Sequence, residues 1–214
     1  MSKRNKTKNN FDSVAWFYDF LSSIVFGNKL RQSQIILFTN IKDNDRVLIL
    51  GGGTGWVISE LLKVKKVKQI DFIESSEKML AKAKSLPPLH NDVVINYIHG
   101  NEQSIHETEQ YDIILAGYFF DIFQQQRLES IILKLRKALK AEGKLLVSDF
   151  HLDSSSLLKH KALVKIMYLF FNITCRLEIN ELIDFRNILE HYDFKLQESF
   201  SFEKGLILSE VYRK

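Results

Sequence analysis

Short, largely apolar runs alternate along this chain with longer segments whose apolar residues recur every three or four positions. Runs of the first kind occupy residues 47–50, 70–73, 93–98, 111–116 and 144–150. Continuous apolar runs suit strands covered on both faces, as in a parallel sheet. The segments between them read as helices. In 127–140, Leu128, Ile131, Ile132, Leu135, Ala138 and Leu139 make one apolar stripe. Arg136, Lys137 and Lys140 crowd its end, where the helix dipole favours cations, and Gly143 is the expected stop. Residues 56–62 and 78–84 are further helices, the second opened by Ser75, Ser76 and Glu77 and halted by Pro87 and Pro88. Two N-terminal helices are expected over 11–26 and 30–38, and two late ones over 157–173 and 180–192. Residues 195–202 and 206–213, separated by Glu203, Lys204 and Gly205, read as a closing hairpin. This order predicts an open α/β sheet, with ligand at the carboxyl ends of the strands where their order reverses.

Within that pattern, residues 46–74 stand out. An apolar run leads into Gly51, Gly52, Gly53, Thr54 and Gly55; a helical segment and a second apolar run follow, closed by Glu74. Strand, glycine turn, helix, strand and terminal acid is the order of a nucleotide-binding βαβ unit. Glycine lets the backbone turn sharply and lets a ligand approach without a Cβ in the way. The helix start offers free N–H groups, and a carboxylate at the second strand's tip can accept two hydrogen bonds from a ribose diol. The alternative is a plain βα turn with surplus glycine.

Composition narrows the setting. A 214-residue chain with 45% hydrophobic residues is read as one domain with an ample core. The net charge of +4 resides in Lys3, Arg4, Lys6 and Lys8, within an acid-free stretch of ten residues. The remainder carries 26 basic and 26 acidic residues, so the body is neutral. Residues 1–10 form a basic tail expected to be disordered, a candidate for contact with an anionic membrane surface or a solubilising segment. No apolar stretch follows it as in a secretory signal, and no run is apolar enough to span a bilayer. Cys175 stands alone, which fits a reducing, cytoplasmic setting, and it reads as a buried structural thiol.

The stretches VLILGGGTGW, FIESSEKMLAKAK, YIHGN, YDIILAGYFF and ALKAEGKLLVSDF together resemble class I S-adenosylmethionine (AdoMet)-dependent methyltransferases, from about residue 11 to the end. The opening FDSVAWFYDFLSSIVFG is similar to the N-terminal helix of ubiquinone/menaquinone-biosynthesis and phospholipid methyltransferases. The resemblance implies a Rossmann-like, seven-stranded, mostly parallel sheet with helices on both faces and an antiparallel last strand. It implies a single domain over 11–214, with 11–40 as a helical cap over the site. Carried over, Gly51, Gly52, Gly53, Thr54 and Gly55 border the methionine part of AdoMet, and Glu74 binds both ribose hydroxyls. Ser75 and Met79 lie at the adenine edge, as do Asn101 and Glu102, with Asn101 where the family usually has Asp. Ala116, Gly117 and Tyr118 border the sulfonium. One departure is Ile49, where the family often has an acid.

Methyl transfer from a sulfonium is an in-line displacement in which the protein supplies position and a dry pocket. Tyr18, Trp56 and Tyr118 are candidates for a cation–π contact with the sulfonium; each has core packing as its alternative. His151, just past the fifth strand, is the first candidate for a general base and Asp121 the second. The six histidines show no metal-ligand spacing, and no metal is expected. Aromatic residues from Phe17 to Phe171 suggest a small apolar or amphipathic acceptor such as a quinone precursor or lipid. The body has no basic stripe for nucleic acid. Competing readings are a nicotinamide-dependent dehydrogenase, an aminopropyltransferase and a catalytically silent AdoMet-binding protein. Trp56 stands at the third-glycine position of the dehydrogenase motif. An aminopropyltransferase needs carboxylates for a polycation, and only Asp121 follows the fourth strand.

Overall fold

The computed structural model describes residues 26–87, 92–106, 108–152, 157–175 and 182–214. The basic tail, the helix expected over 11–26 apart from Phe26, and Tyr18 lie outside the described residues, as does the expected start of the last helix at Asn180.

Seven strands form one sheet: β1 (Arg46–Leu50), β2 (Gln69–Glu74), β3 (Val94–His99), β4 (Tyr111–Gly117), β5 (Leu139–Phe150), β6 (Lys195–Phe202) and β7 (Ile207–Arg213). Their order is β3-β2-β1-β4-β5-β7-β6. Strands β1 to β5 pair in parallel, and β7 runs antiparallel to both β5 and β6. This is the Rossmann-like sheet expected, with its antiparallel strand slotted between β5 and β6. The helices are α1 (Lys29–Ile35), α2 (Trp56–Val64), α3 (Glu77–Lys84), α4 (Gln125–Ala138), α5 (Leu158–Cys175) and α6 (Phe185–His191).

Alternation along the strands divides the core in two. Val47, Ile49, Ile70, Phe72, Ile113, Leu115 and Leu146 face one side, where Val57, Ile58 and Leu61 of α2 and Leu80 and Ala83 of α3 cover them. Leu48, Leu50, Ile114, Ala116, Leu145 and Val147 face the other, under α4 and α6. Both faces are therefore largely apolar, which explains why the runs do not alternate strictly with polar residues. A third cluster joins Val164, Met167 and Tyr168 of α5 to Phe26, Leu30, Phe150, Leu206 and Ile207. Among the described residues no helix is long and apolar enough to cross a membrane.

Two boundaries differ from the sequence pattern. Helix α4 ends at Ala138, and the chain passes straight into β5, with Leu139 paired to Tyr111 across a register shift. Gly143 is not the helix stop. It sits inside β5, where a Cβ would lie 2.9 Å from the Leu139 side chain and 3.1 Å from the Tyr111 carbonyl oxygen. The stripe through Leu139 continues because the strand buries the same side chain the helix would have buried. Helix α6 starts at Phe185 because the Asp184 carboxylate accepts the Arg186 N–H at 3.1 Å.

Buried Asp71, on β2, is held by three side-chain donors: Gln69 Nε2, Asn96 Nδ2 and Tyr111 Oη, each at 2.7 Å. Burial opposes its charge, and these donors outweigh it, so its carboxyl titrates below the usual range. Tyr111→Phe removes one donor while keeping the ring in the core. It is expected to lower stability by about 1–3 kcal/mol in urea unfolding.

Candidate active site

The strand order reverses between β1 and β4, so the loops leaving those two strands frame a crevice. The first is the glycine turn. Gly51, Gly53 and Gly55 take φ values of 61°, 61° and 82°, the left-handed region that glycine enters freely. Gly52 is required for a different reason: a Cβ there would stand 2.2 Å from the Phe72 ring. At Gly55 a Cβ would stand 2.7 Å from that of Ala83, so this glycine lets the start of α2 meet α3. The turn lies tight against β2, with the Gly51 N–H donating to the Ile73 carbonyl at 2.9 Å. Gly51 is nonetheless exposed, and Gly52, Gly53 and Thr54 are half-buried.

Glu74 closes β2 beside this turn and is 5% exposed. Its Oε2 accepts the Gly53 N–H at 3.0 Å, and its Oε1 accepts the Ser76 N–H at 2.8 Å and, at 3.5 Å, the Ser75 hydroxyl. One carboxylate thus ties the glycine turn to the start of α3. Burial raises its proton affinity, and the Ser76 and Gly53 amides oppose that shift. Ser76 caps α3 by accepting the Met79 N–H at 3.2 Å. The Met79 sulfur lies 3.7 Å from where a Gly53 Cβ would be. Ser75 is exposed. Ile49, in the acid position, is 1% exposed and packs in the core with Phe72.

Asn101 and Glu102 follow β3. Asn101 is exposed, and its Oδ1 accepts the Gln103 N–H at 2.9 Å, keeping a second lone pair for another donor. Glu102 is also engaged within the protein. It is buried and takes two bonds from Arg127 of α4, at 2.9 Å and 2.6 Å. The same guanidinium sits 5.0 Å over the Phe123 ring. Glu102 therefore anchors its loop to α4.

At the end of β4, Ala116 is buried between Leu50 and Val147. A Cβ on Gly117 would stand 2.4 Å from Gln34 Oε1 of α1. Tyr118 has φ 52°, an uncommon conformation for a residue with a side chain. Its hydroxyl is 2.8 Å from Ser33 Oγ, which is 2.7 Å from Ser148 Oγ, and its ring packs 5.1 Å from that of Phe150. Ser148 reaches Ser209 at 3.2 Å. Burial raises the Tyr118 hydroxyl's pKa further above its already high ordinary value. Tyr118 is thus locked between α1 and β5. Trp56 carries the Arg31 guanidinium 5.2 Å from its ring centroid and packs on the core as well.

Of the two candidate bases, His151 is half-buried just beyond β5, with its N–H bonded to the Leu206 carbonyl at 2.9 Å. Asp121 is 6% exposed, and its Oδ1 has no hydrogen-bond partner. Beside it is a residue the sequence reading passed over. Asp149, 1% exposed, is the last residue but one of β5 and accepts the Phe120 and Asp121 N–H groups on Oδ2 at 2.8 Å and 3.4 Å, and that of Phe150 on Oδ1 at 2.8 Å. The feature that marked Glu74, an acid near the end of an apolar strand, was present at Asp149 too. Burial pushes the Asp149 carboxyl up to about 7, against its backbone donors. Burial and then the Asp149 charge hold Asp121 well above the carboxylate range. Ser33, Gln34 and Ser148 carried no comparable sequence signal.

With the geometry in place, comparison with known proteins is informative. Residues 48–145 match the family model described as a methyltransferase domain. The chain is 28% identical over 158 residues to malonyl-acyl-carrier-protein O-methyltransferase of Halalkalibacterium halodurans, covering 71% of this chain and 57% of that one. It is 30% identical over 117 residues to polyamine aminopropyltransferase of Methanocaldococcus jannaschii, covering 46% and 40%. The chain thus spans about half the length of the curated relatives it matches. The crystal structure of Burkholderia thailandensis 1,6-didemethyltoxoflavin-N1-methyltransferase, with 1,6-didemethyltoxoflavin and S-adenosylhomocysteine bound, superposes with a TM-score of 0.63 at 16% identity, covering 96% of this chain and 90% of that one. The fold defines an open α/β protein with a nucleotide-type crevice. More narrowly, residues 48–145 carry the likeness to a methyltransferase domain, and the solved methyltransferase structure shares the fold.

The residues present fit that family's cofactor. The backbone of Gly51 is open, and a Cβ on it would come within 3.1 Å of the Phe119 ring. Each Glu74 oxygen retains lone-pair capacity beyond its main-chain donor.

Because the folded protein holds a proton on Asp149 up to about pH 7, and an unfolded Asp loses it near pH ~3.9, the group's stabilising contribution is fully present below the lower value. It is lost as pH rises through the upper one. Thermal unfolding is expected to show stability falling across this window, by up to about 1.4 kcal/mol per pH unit for one proton, with a shallower slope in Asp149→Asn.

Proposed function

We propose that this protein transfers a methyl group from AdoMet to a small apolar or amphipathic acceptor, releasing S-adenosylhomocysteine. The observation that carries the reading is the Glu74 carboxylate, fixed by Gly53 and Ser76 at the rim of an open glycine turn. Bound there, AdoMet supplies an electrophilic methyl group on a sulfonium. The chain's own contribution is position. Glu74, together with residues 51–55, holds the adenosyl and methionine parts, and Asn101 offers a carbonyl oxygen to the adenine amino group. Ala116, Gly117 and the locked Tyr118 border the reacting end.

The acceptor side has an aromatic texture. Phe119, Phe120 and Phe123 lie in the loop after β4, with Phe119 packed edge-on to Phe123 at 5.0 Å. Buried Tyr168 of α5 donates to the Asp121 carbonyl oxygen at 3.4 Å. Such a surface excludes water and favours a ligand with apolar area. A second reading, aminopropyl transfer, is supported by the 30% identity to the archaeal polyamine enzyme and by the Asp121–Asp149 pair. Product mass distinguishes the two transfers.

Calorimetry with AdoMet, S-adenosylhomocysteine and NAD tests the cofactor assignment: the first two are expected to bind and the third not. Glu74→Ala should weaken binding of both by about 1–3 kcal/mol, the cost of unpaired ligand hydroxyls. An unchanged affinity in that variant removes Glu74 from the site.

A further inference from the structure

We propose that the acceptor carries an amine, and that Asp121, held in place by Asp149, receives this amine and takes its proton. The inference rests on the methyl-transfer reading above and adds the class of substrate.

The two carboxylates have different tasks. Asp149 has both oxygens filled by main-chain N–H groups of Phe120, Asp121 and Phe150. It clamps the loop that leaves β4. Asp121 is carried on that loop with Oδ1 buried and without a hydrogen-bond partner. A buried oxygen with no donor is costly, and a ligand that supplies an N–H or a positive charge removes the cost. Among the described residues, the other ionisable groups acting on the pair are Tyr118 from the β4 loop and Tyr168 from α5, and neither brings a positive charge.

Position supports the assignment. Asp121 lies four residues beyond Gly117, at the strand-order reversal. Phe119, in the same loop, abuts the glycine turn, its ring within 3.1 Å of a Cβ on Gly51. The loop bearing the unfilled oxygen therefore also touches the turn that would hold the cofactor. A carboxylate acceptor would be repelled by two acids in a dry setting. An alcohol would fill one lone pair but bring no compensating charge. An amine brings both donor and charge, and the surrounding aromatic rings favour its cationic form.

The amine arrives as its ammonium ion and passes one N–H proton to the Asp121 carboxylate. The neutral nitrogen then donates its lone pair to the methyl carbon, the carbon–sulfur bond breaks, and its electron pair stays on sulfur. The product leaves as the methylated ammonium ion, and release of the Asp121 proton to solvent readies the site for another turnover.

The test uses benzylamine, benzyl alcohol and benzoate as matched probes, titrated by calorimetry into the full chain saturated with S-adenosylhomocysteine. Benzylamine is expected to bind at least about tenfold tighter than the alcohol, and benzoate not at all, because a site built for an N–H penalises analogues that leave it unpaired. Asp121→Asn, which keeps size and shape, should erase the amine preference while leaving S-adenosylhomocysteine affinity unchanged. In the unaltered protein the preference should fade as acidification fills the pair with protons. Equal binding of amine and alcohol, binding of neither, or a preference that survives Asp121→Asn or acidification overturns the amine assignment. Failure of S-adenosylhomocysteine to bind the unaltered protein overturns the methyl-transfer reading instead.

Discussion

The Glu74 carboxylate joins three parts of the chain that have no other reason to hold one geometry. Its oxygens take main-chain N–H groups from Gly53 in the first turn and Ser76 at the head of α3, and its backbone closes β2. A glycine turn has little stiffness of its own, since each glycine has wide conformational freedom to lose. The fixed carboxylate supplies the stiffness, along with the contact of Gly52 on the Phe72 ring and of Gly55 on Ala83. An ionisable group held at 5% exposure carries a desolvation cost. Two charge-assisted bonds offset part of that cost.

The same device is used a second time across the crevice. Asp149 is the last residue but one of β5, as Glu74 is the last of β2, and its Oδ2 gathers N–H groups of the loop after β4. In both cases an acid at a strand's carboxyl end organises the neighbouring strand's loop. The two differ in their surroundings. Glu74 sits at the rim of an exposed turn, whereas Asp149 lies beside a second acid under aromatic cover. Two carboxyl groups in one dry place raise each other's proton affinity. The first arrangement suits recognition by fixed hydrogen bonds, and the second suits holding and moving a proton.

Helix α1 completes the arrangement from the other direction. Ser33 and Gln34 reach Tyr118 and the Gly117 backbone, and the Ser33–Ser148–Ser209 chain ties the helix to β5 and β7. Tyr118 keeps its left-handed backbone because its hydroxyl and ring are gripped on two sides. Departures such as Ile49 are then understandable. The turn is already fixed through Glu74, and an apolar residue at this position fills space beside Phe72.

Much of this was legible in the amino-acid sequence because it depends on local periodicity and on residues with few alternative uses. Largely apolar runs indicated strands covered on both faces, four glycines between two such runs indicated the turn, and an acid ending the second run indicated Glu74. Boundaries that rest on competition between elements were not legible: Leu139 extends the α4 stripe equally well whether it ends a helix or begins β5, and pairing with Tyr111 decides it. The partners of Glu102, Tyr118 and Asp121 were likewise invisible, because Arg127, Ser33 and Asp149 meet them only through the sheet order and the layering of helices on its faces. A side chain's residue type sets which bonds it can make, but chain distance carries no information about which of them the fold brings within reach.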